Sequence, residues 1–255
     1  MTEKQKDGIF TSLNLKARMA ELVDALVSGA SVARHGGSSP LSGTIDSRKR
    51  GFYGEIFYFK GDLPDNVSLP NTIAVDTETM GLNLHRDRLC LVQIGDGKGN
   101  AYLTQIVRGV KPVNLKKVLS NKKILKIFHY ARFDVAKIKQ DLGIVCAPVY
   151  CTKIAHKLVR PSASSHGLKA ICKELLNVDL EKEQQLSDWG VDELSEAQKC
   201  YAANDVLYLH QLKEKLDVLL EREGRTSIAK ACYEFLPTRA ELDLLGFDNP
   251  DIFEH

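Results

Sequence analysis

Five polar side chains in three separated segments constrain the fold of this chain more than any other feature of its sequence. Asp76 and Glu78 end the apolar run TIAVDTET, and residues two apart in a β-strand project from the same face. Tyr201 and Asp205 stand four apart in CYAANDVLYLHQL, and residues four apart in a helix share a face. Asp134 lies between these two groups, in FHYARFDVAKI. A fold that brings the segments together gathers four carboxylates and one phenol at one site.

The carboxylates predict a metal site, because like charges repel one another unless a cation neutralises them. Carboxylate oxygens are hard ligands of the kind that Mg²⁺ and Mn²⁺ prefer. We therefore predict that the chain holds divalent metal ions for chemistry on phosphate groups.

Composition sets wide limits. The 255 residues suffice for one domain with appendages, and 44% hydrophobic and 27% charged residues are ordinary for a globular protein. The formal net charge of +2 is too small to predict nucleic-acid binding by itself. No apolar stretch is long enough to cross a bilayer, and the first residues lack the layout of a signal peptide. We therefore expect no membrane partner. Because the six cysteines are scattered and no export signal is present, we also expect reduced thiols and a cytoplasmic location.

Residues 1–50 differ in character from the rest of the chain. The run SGASVARHGGSSPLSGTIDSRKR is rich in Ser, Gly and Arg, which is typical of disorder. MAELVDAL and GSSP can also be back-translated into stretches that resemble parts of a bacterial leucine tRNA gene. We expect either a disordered leader or a translation start placed upstream of the true one, and we assign this segment no function.

The remaining pattern alternates strands and helices. TIAVDTET, RLCLVQIG and NAYLTQI predict an antiparallel meander because short turns join them, and KILKIFH predicts a further strand. Helices are predicted over VNLKKVLS, ARFDVAKIKQDLG, CTKIAHKLVR and GLKAICKELLN. One long helix is predicted from Ser195, its N-cap, to Gly224, followed by a helix interrupted at Pro237. This order favours an α/β catalytic domain over 54–225 and a helical segment over 226–255.

The acidic motifs resemble those of the DEDD superfamily of 3′–5′ exonucleases: D-x-E-T at Asp76–Thr79, H-x-A-x-x-D at His129–Asp134 and Y-x-x-x-D at Tyr201–Asp205. The tyrosine is typical of the tyrosine branch. RLCLVQIG and HGLKAICKELL are similar to the ribonuclease D group. KIFHYARFD, CTKIAHKL, QQLSDW, KACYEFLPTRAELDLLG and DIFEH resemble the nano-RNase C type of alphaproteobacteria. The resemblance implies a ribonuclease H-like fold, a mixed sheet flanked by helices.

The same resemblance implies a 3′–5′ exonuclease that uses two divalent metal ions, Mg²⁺ or Mn²⁺, to release nucleoside 5′-monophosphates. Its substrate would be short single-stranded RNA, with DNA as a further candidate. Asp76 would bridge the metals, Glu78 and Asp205 would complete the one beside the nucleophile, and Asp134 would hold the other. Tyr201 would orient the attacking water, because a phenol with a pKa of about 10 is a poor base at neutral pH.

Residues near the motifs are candidates for substrate binding. They are Thr79, Met80, Leu82, His129, Lys153 and His166. The first three follow the acidic pair and would stack on or wedge the terminal base, and the other three would contact phosphate. The alternative for His129 is a histidine of the core, and the alternative for Lys153 and His166 is a solvated charge on a helix. The lysines between Lys116 and Lys126 either follow a strand backbone or form a soluble face.

Two other functions stay open. One is ribonuclease D-like trimming of structured RNA 3′ ends; the chain ends too soon to hold the helical modules of full-length ribonuclease D, which favours very short substrates instead. The other is a catalytically silent nucleic-acid-binding scaffold. Apolar residues in Glu234–His255 predict a subunit contact, and the resemblance implies a homo-octamer. Packing of this segment onto its own protomer is the alternative.

Overall fold

The computed structural model describes residues 54–180 and 186–254, and the predicted leader over 1–50 lies outside them. Six strands form one mixed sheet in the order β1-β4-β3-β2-β5-β6, flanked by helices. The strands are β1 (Ile56–Lys60), β2 (Thr72–Thr79), β3 (Leu89–Gly95), β4 (Ala101–Gln105), β5 (Leu125–Phe128) and β6 (Val149–Cys151). The helices are α1 (Val113–Ser120), α2 (Ala131–Leu142), α3 (Thr152–Val159), α4 (Leu168–Leu176), α5 (Glu196–Leu207), α6 (Leu209–Arg222) and α7 (Thr226–Leu244). None of these helices combines the length and apolar character that a membrane span requires.

Strand β2, which carries the acidic pair, lies inside the sheet. It pairs antiparallel with β3 and parallel with β5, and β3 pairs antiparallel with β4. The predicted meander is therefore confirmed, together with the mixed α/β sheet. Every residue of β3 is buried, so its nearly continuous apolar sequence suits a strand that is covered on both faces.

The two edge strands were not predicted from the sequence. β1 runs parallel to β4, and β6 runs parallel to β5. β6 is three residues long and α3 begins at the next residue, so its apolar side chains merge with the helical pattern that follows. β1 has the sequence IFYFK, an unbroken apolar and aromatic run in which no alternation marks a strand.

The predicted long helix from Ser195 to Gly224 is wrong: it is two helices that meet at Tyr208. The two halves pack on different neighbours, α5 against β1–β4 and α6 against α3, α4 and β5. A single straight helix could not pack against both sets of neighbours, so the helix axis changes direction at the junction. Tyr208 is buried there. The predicted N-cap is confirmed, because Ser195 and Gln198 form a reciprocal capping box.

The predicted interruption at Pro237 is also wrong, since α7 continues through it. Proline removes one backbone donor from a helix, which is a cost that packing can offset. Tyr233 and Leu236 are buried before Pro237 and Ala240 is buried after it, so both halves of α7 are held against the same core. Its principal neighbours are α2 and β6.

An ion-pair network joins α7 to α2. Arg132 donates from Nε and Nη2 to the two carboxylate oxygens of Asp243, both at 2.7 Å. Arg239 lies one turn before Asp243 and pairs with it at 2.8 Å and with Asp251 at 3.2 Å. The Asp243 side chain is buried, while about a third of the Arg132 side chain is exposed, so the bidentate pair is shielded from solvent on the carboxylate side. It fixes the end of α7 against the first turn of α2.

Beyond the last turn of α7 the apolar side chains are exposed. They are Leu245, Phe247, Ile252 and Phe253, and the ring of Phe253 contacts that of Phe235 at a centroid distance of 5.9 Å. The C-terminal segment thus packs onto its own protomer along α7 and presents apolar surface after it. Packing onto its own protomer is therefore confirmed for α7, and the predicted subunit contact stays a prediction.

Candidate active site

Three carboxylates from two elements lie together at one edge of the sheet. Asp76 and Glu78 come from β2, and Asp205 comes from the last turns of α5. One carboxylate oxygen from each lies within 4.8 Å of the others. The strand spacing places the first two on one face, and the helix brings the third across the sheet, as the sequence predicts.

A glycine allows this close approach of α5. A Cβ atom built on Gly95, in β3, would lie 2.9 Å from the backbone oxygen of Val206 and 3.2 Å from its Cβ. Real Cβ atoms essentially never approach a backbone oxygen this closely, so any side chain here would push the helix outward. Val206 is the residue after Asp205, and the position of that carboxylate therefore depends on the missing side chain of Gly95.

Asp134 stands apart from the group of three. It is buried in the first turn of α2 and accepts a hydrogen bond of 2.5 Å from Thr77 Oγ1. Thr77 lies between Asp76 and Glu78 on β2, so its side chain points to the opposite face of the strand. The charge of Asp76 still acts on Asp134 and, after burial, contributes to the raised pKa of the Asp134 carboxyl. The fourth carboxylate is therefore adjacent to the group but held by its own donor.

The site is electrostatically unfavourable without a cation. Burial raises the pKa of Asp76 to about 7. Burial and the charges of Asp76, Asp205 and Asp134 raise the pKa of Glu78 to about 10. The pKa values of Asp134 and Asp205 are also raised, by burial first and by Asp76 second. The ionisation of each carboxylate thus disfavours the ionisation of its neighbours, as expected when carboxylates share a site without a counterion.

These residues fit a divalent cation. Their donor atoms are all carboxylate oxygens, which is the ligand type of Mg²⁺ and Mn²⁺. The described residues place no lysine or arginine in a hydrogen bond or ion pair with Asp76, Glu78 or Asp205. The negative charge is therefore left for an ion to neutralise.

Tyr201 lies one helical turn before Asp205, as predicted. Burial, followed by the charges of Asp205, Glu78 and Asp76, raises the pKa of its phenol well above the usual value. Its ring packs against that of Trp189 at a centroid distance of 6.1 Å. The phenol is consequently protonated at neutral pH and able to donate a hydrogen bond.

Comparison with known proteins agrees with this geometry. A family of 3′–5′ exonuclease domains matches residues 63–221. NrnC from Brucella melitensis is 54% identical, with a TM-score of 0.75, and the match covers 78% of this chain and 98% of that one. The chain belongs to the NrnC group of ribonuclease D-like 3′–5′ exonucleases.

Further matches include two other structures of the Brucella protein and a ribonuclease D. The same Brucella protein bound to pGG is 53% identical, with a TM-score of 0.74 over 78% of this chain and 98% of that one. The corresponding structure with bound Mg²⁺ is 52% identical, again with a TM-score of 0.74 and the same coverage. Ribonuclease D from Acidiphilium cryptum is 31% identical over 163 residues, 64% of this chain. The chain spans 41% of the length of that ribonuclease D. The resemblance to both ribonuclease D and the nano-RNase C type is confirmed.

In this NrnC-type chain, the loop after β2 holds three of the predicted substrate-binding residues. Thr79 Oγ1 donates to the backbone oxygen of Gly81 at 2.5 Å, so its hydroxyl supports the turn. Met80 is half exposed and its side chain lies beside Gly190. Leu82 is 84% exposed, which leaves it free to contact a ligand. Contact of these side chains with a base stays a prediction.

The other three candidates gather around α3. His129 Nδ1 lies 2.9 Å from Thr152 Oγ1, and burial lowers the pKa of His129 to about 3, so its imidazole is neutral. Lys153 Nζ lies 3.9 Å above the ring of Tyr130. His166 Nδ1 lies 2.8 Å from Nδ1 of the buried His156. A neutral His129 would contact phosphate as a hydrogen-bonding group and not as a charge; for Lys153 and His166 the phosphate role stays a prediction.

Two residues beside the site, Tyr130 and Gln93, were not predicted from the sequence to be functional. Tyr130 has a φ of 69° at the N-cap of α2, and its ring is about half exposed. A tyrosine in this left-handed region is uncommon, and such strain gathers at functional sites. Gln93 is fully buried beside the acidic pair. The only signal for it was a polar residue inside the apolar strand LCLVQIG.

Lys126 does not belong to a basic surface. Its side chain is fully buried, and Nζ donates to the backbone oxygens of Asn121, Ile124 and Ala147 at 2.9, 2.8 and 2.6 Å. All three of its protons are used, so it is a structural lysine that closes the turn before β5. Neither alternative for this lysine stretch, a contact with a nucleic-acid strand or a soluble face, is correct for Lys126.

Proposed function

We propose that this chain is a metal-dependent 3′–5′ exoribonuclease that hydrolyses short RNA oligonucleotides to nucleoside 5′-monophosphates. The observation that carries the proposal is the group of Asp76, Glu78 and Asp205, three carboxylates within 4.8 Å in an NrnC-type fold. The Brucella relative has been solved with pGG and with Mg²⁺. A protein with a closely similar fold thus binds both a short nucleotide and a divalent ion, which supports the proposal for this chain.

The acidic residues would hold two divalent ions, Mg²⁺ or Mn²⁺. Such ions, when bound, activate a water and neutralise charge on the leaving oxygen. Asp76 is central, because its charge raises the pKa of Glu78, Asp134 and Asp205 alike. Glu78 and Asp205 would hold one ion with it. Asp134 would contribute to the second while its other interaction, with Thr77, fixes its orientation.

Tyr201 would orient the attacking water through its phenol proton. Burial and the charges of Asp205, Glu78 and Asp76 raise its pKa in the metal-free protein, so the phenol keeps its proton at neutral pH and would act as a hydrogen-bond donor. Packing against Trp189 limits the motion of its ring. This interaction supports a positioning role for the hydroxyl.

Substrate contacts would come from the two clusters around the acidic group. Met80 and Leu82 present exposed apolar surface after β2 and would contact a base, with Thr79 shaping the turn. His129, Lys153 and His166 would contact phosphate from the side of α3. Single-stranded RNA is the principal substrate in this proposal, and DNA is the further candidate.

The assembly is a separate part of the proposal. The apolar side chains exposed after α7 would form a contact between copies of the chain, and a homo-octamer is the state that the nano-RNase C resemblance implies. The catalytic domain would extend over 54–225, with 226–255 providing this contact. All six cysteines are free, which suits the proposed cytoplasmic location. Light scattering that gave a monomeric mass would contradict the assembly.

Ribonuclease D-like trimming of structured RNA is the second candidate, favoured by the match to ribonuclease D. An assay with three substrates separates the candidates. The protein is incubated with a 5′-labelled RNA dinucleotide, a single-stranded RNA of about 15 nucleotides or a duplex DNA, each in the presence of Mg²⁺, Mn²⁺ or EDTA. Selective conversion of the dinucleotide to monophosphates supports the proposal. A ladder on the longer strand with the dinucleotide left intact supports trimming. Binding without metal-dependent cleavage would instead indicate a silent scaffold.

A further inference from the structure

Gln93 is a fully buried amide that faces the acidic pair. In the antiparallel register of β2 and β3 it lies directly opposite Asp76, and directly opposed residues share a face of the sheet. We propose that Gln93 is a positioning residue that orients the carboxylates of Asp76 and Glu78 for cation binding. This inference rests on the proposed function, because it assigns a role at the same metal site.

The contacts of the amide support this role. Gln93 Nε2 lies 3.3 Å from Asp76 Oδ2 and 3.5 Å from Glu78 Oε1. A primary amide nitrogen carries two protons, one for each carboxylate. Carboxylates that hold a cation are ionised and only accept hydrogen bonds, so in the metal-bound protein the nitrogen of the amide, and not its oxygen, would face them. Both bonds are long, which suits a group that fixes direction without binding the carboxylates strongly.

An amide can do this where a cationic side chain could not. A lysine or arginine opposite Asp76 would neutralise part of the charge that attracts the cation and would compete with it for the same oxygens. Gln93 is neutral, so it restricts the rotamers of Asp76 and Glu78 and leaves their charge intact. Mutation of a partner that orients a metal ligand in this way typically lowers metal affinity or activity by about 10- to 100-fold.

The oxygen of the Gln93 amide is evidence against a purely structural role. Gln93 Oε1 is buried and has no hydrogen-bond partner among the described residues. A buried acceptor without a partner disfavours the folded state, so an apolar residue of similar size would stabilise the sheet better. The amide is therefore expected to lower the stability of the metal-free protein while it improves the metal site.

Thr104 provides a matched control. It is fully buried on β4, and its Oγ1 also has no hydrogen-bond partner among the described residues. In the register of β3 and β4 it lies opposite Val92, so it points to the other face of the sheet from Gln93. Thr104→Val removes a buried polar atom of the same kind without touching the acidic pair.

The experiment compares wild type, Gln93→Met, Gln93→Asn and Thr104→Val in the absence of substrate. Mn²⁺ affinity is measured by the electron paramagnetic resonance signal of the free ion, and thermal unfolding is followed without metal. Gln93→Met keeps the length of the side chain, and we expect about a 10-fold loss of Mn²⁺ affinity with an unchanged or higher unfolding temperature. Gln93→Asn keeps an amide but shortens it by one methylene, so it should also bind Mn²⁺ more weakly. Thr104→Val should bind Mn²⁺ like wild type.

The outcomes separate this inference from the proposed function. If wild type bound no Mn²⁺, the proposed metal site itself would be wrong. If wild type bound Mn²⁺ and Gln93→Met bound it equally well, only the role of Gln93 would be overturned. A loss of affinity in Gln93→Met that came with a lower unfolding temperature of the metal-free protein would also overturn it, because packing would then explain both effects.

Discussion

Thr77 donates a hydrogen bond of 2.5 Å to Asp134, and so joins the centre of β2 to the first turn of α2 through a buried carboxylate. The same strand presents Asp76 and Glu78 on its other face. One three-residue stretch of β2 thus positions three of the four carboxylates, two directly and one by a donated proton.

Replacement of Thr77 by valine should loosen Asp134 without changing the shape of β2. A buried carboxylate that loses its donor is destabilised, so we expect a loss of about 1–3 kcal/mol in the free energy of unfolding and reduced turnover. Thr77→Ser keeps the hydroxyl and is the control. Urea titration and initial rates on an RNA dinucleotide measure the two effects; equal rates in both variants would contradict the role of Thr77.

Asp205→Asn should abolish turnover and stabilise the metal-free protein. The amide cannot ionise, so it no longer adds charge beside Glu78, and it removes a ligand of the proposed metal. We expect at least about a 100-fold loss of rate, since charge neutralisation at the reacting phosphate is lost. The exposed Asp192→Asn serves as the control for a change of net charge. Rates and unfolding temperatures are measured together, and a variant that turned over normally would refute the assignment of Asp205.

The stability of the metal-free protein should fall as the pH rises. The folded pKa of Asp76, about 7, exceeds its ordinary value of 3.8, and that of Glu78 is raised in the same direction. The native state therefore holds protons that the unfolded state releases, and the stabilisation present below about pH 4 is lost as the pH passes through 7 and towards 10. Thermal unfolding across this range, with and without Mg²⁺, tests the expectation. Added Mg²⁺ should raise the unfolding temperature most at high pH, and an equal effect at all pH values would contradict the linkage.

Gly95→Ala should displace α5 and with it Asp205. The new Cβ would lie 2.9 Å from the backbone oxygen of Val206, which neither element can avoid without moving. Overpacking of this kind costs about 1–3 kcal/mol. Gly167→Ala is the control, because its Cβ would meet nothing closer than 3.7 Å at an ordinary φ of −75°. Loss of stability and activity only in Gly95→Ala supports the account, and unchanged turnover in that variant would show that α5 has room to adjust.

The carboxylates of the site could be predicted from the sequence because local geometry fixes their relations. A two-residue spacing in a strand and a four-residue spacing in a helix each determine a shared face, whatever the rest of the chain does. The meander was predictable for the same reason, since short turns leave few ways to connect three strands. Asp134 was found through its motif, but its bond to Thr77 depends on the crossing of two elements.

Features that depend on tertiary packing were missed or misread. The junction at Tyr208 and the continuation of α7 through Pro237 are decided by the surfaces that each half of a helix covers, and no local pattern encodes them. Lys126 reads as a surface charge in sequence, yet three carbonyl oxygens converge on it in the fold. Gln93 was not predicted to belong to the site for a similar reason, because strand register alone places it opposite Asp76.

The pair between Arg132 and Asp243 has a consequence for the order in which the molecule is made. These residues are 111 positions apart in the chain, and Arg132 lies two residues before Asp134 on the same helical turn. A ribosome therefore delivers the buried carboxylate long before it delivers the helix that braces it. The turn that carries Asp134 therefore lacks its bidentate partner until Asp243 has also been made, which ties the final setting of this carboxylate to a late folding contact between distant parts of the chain.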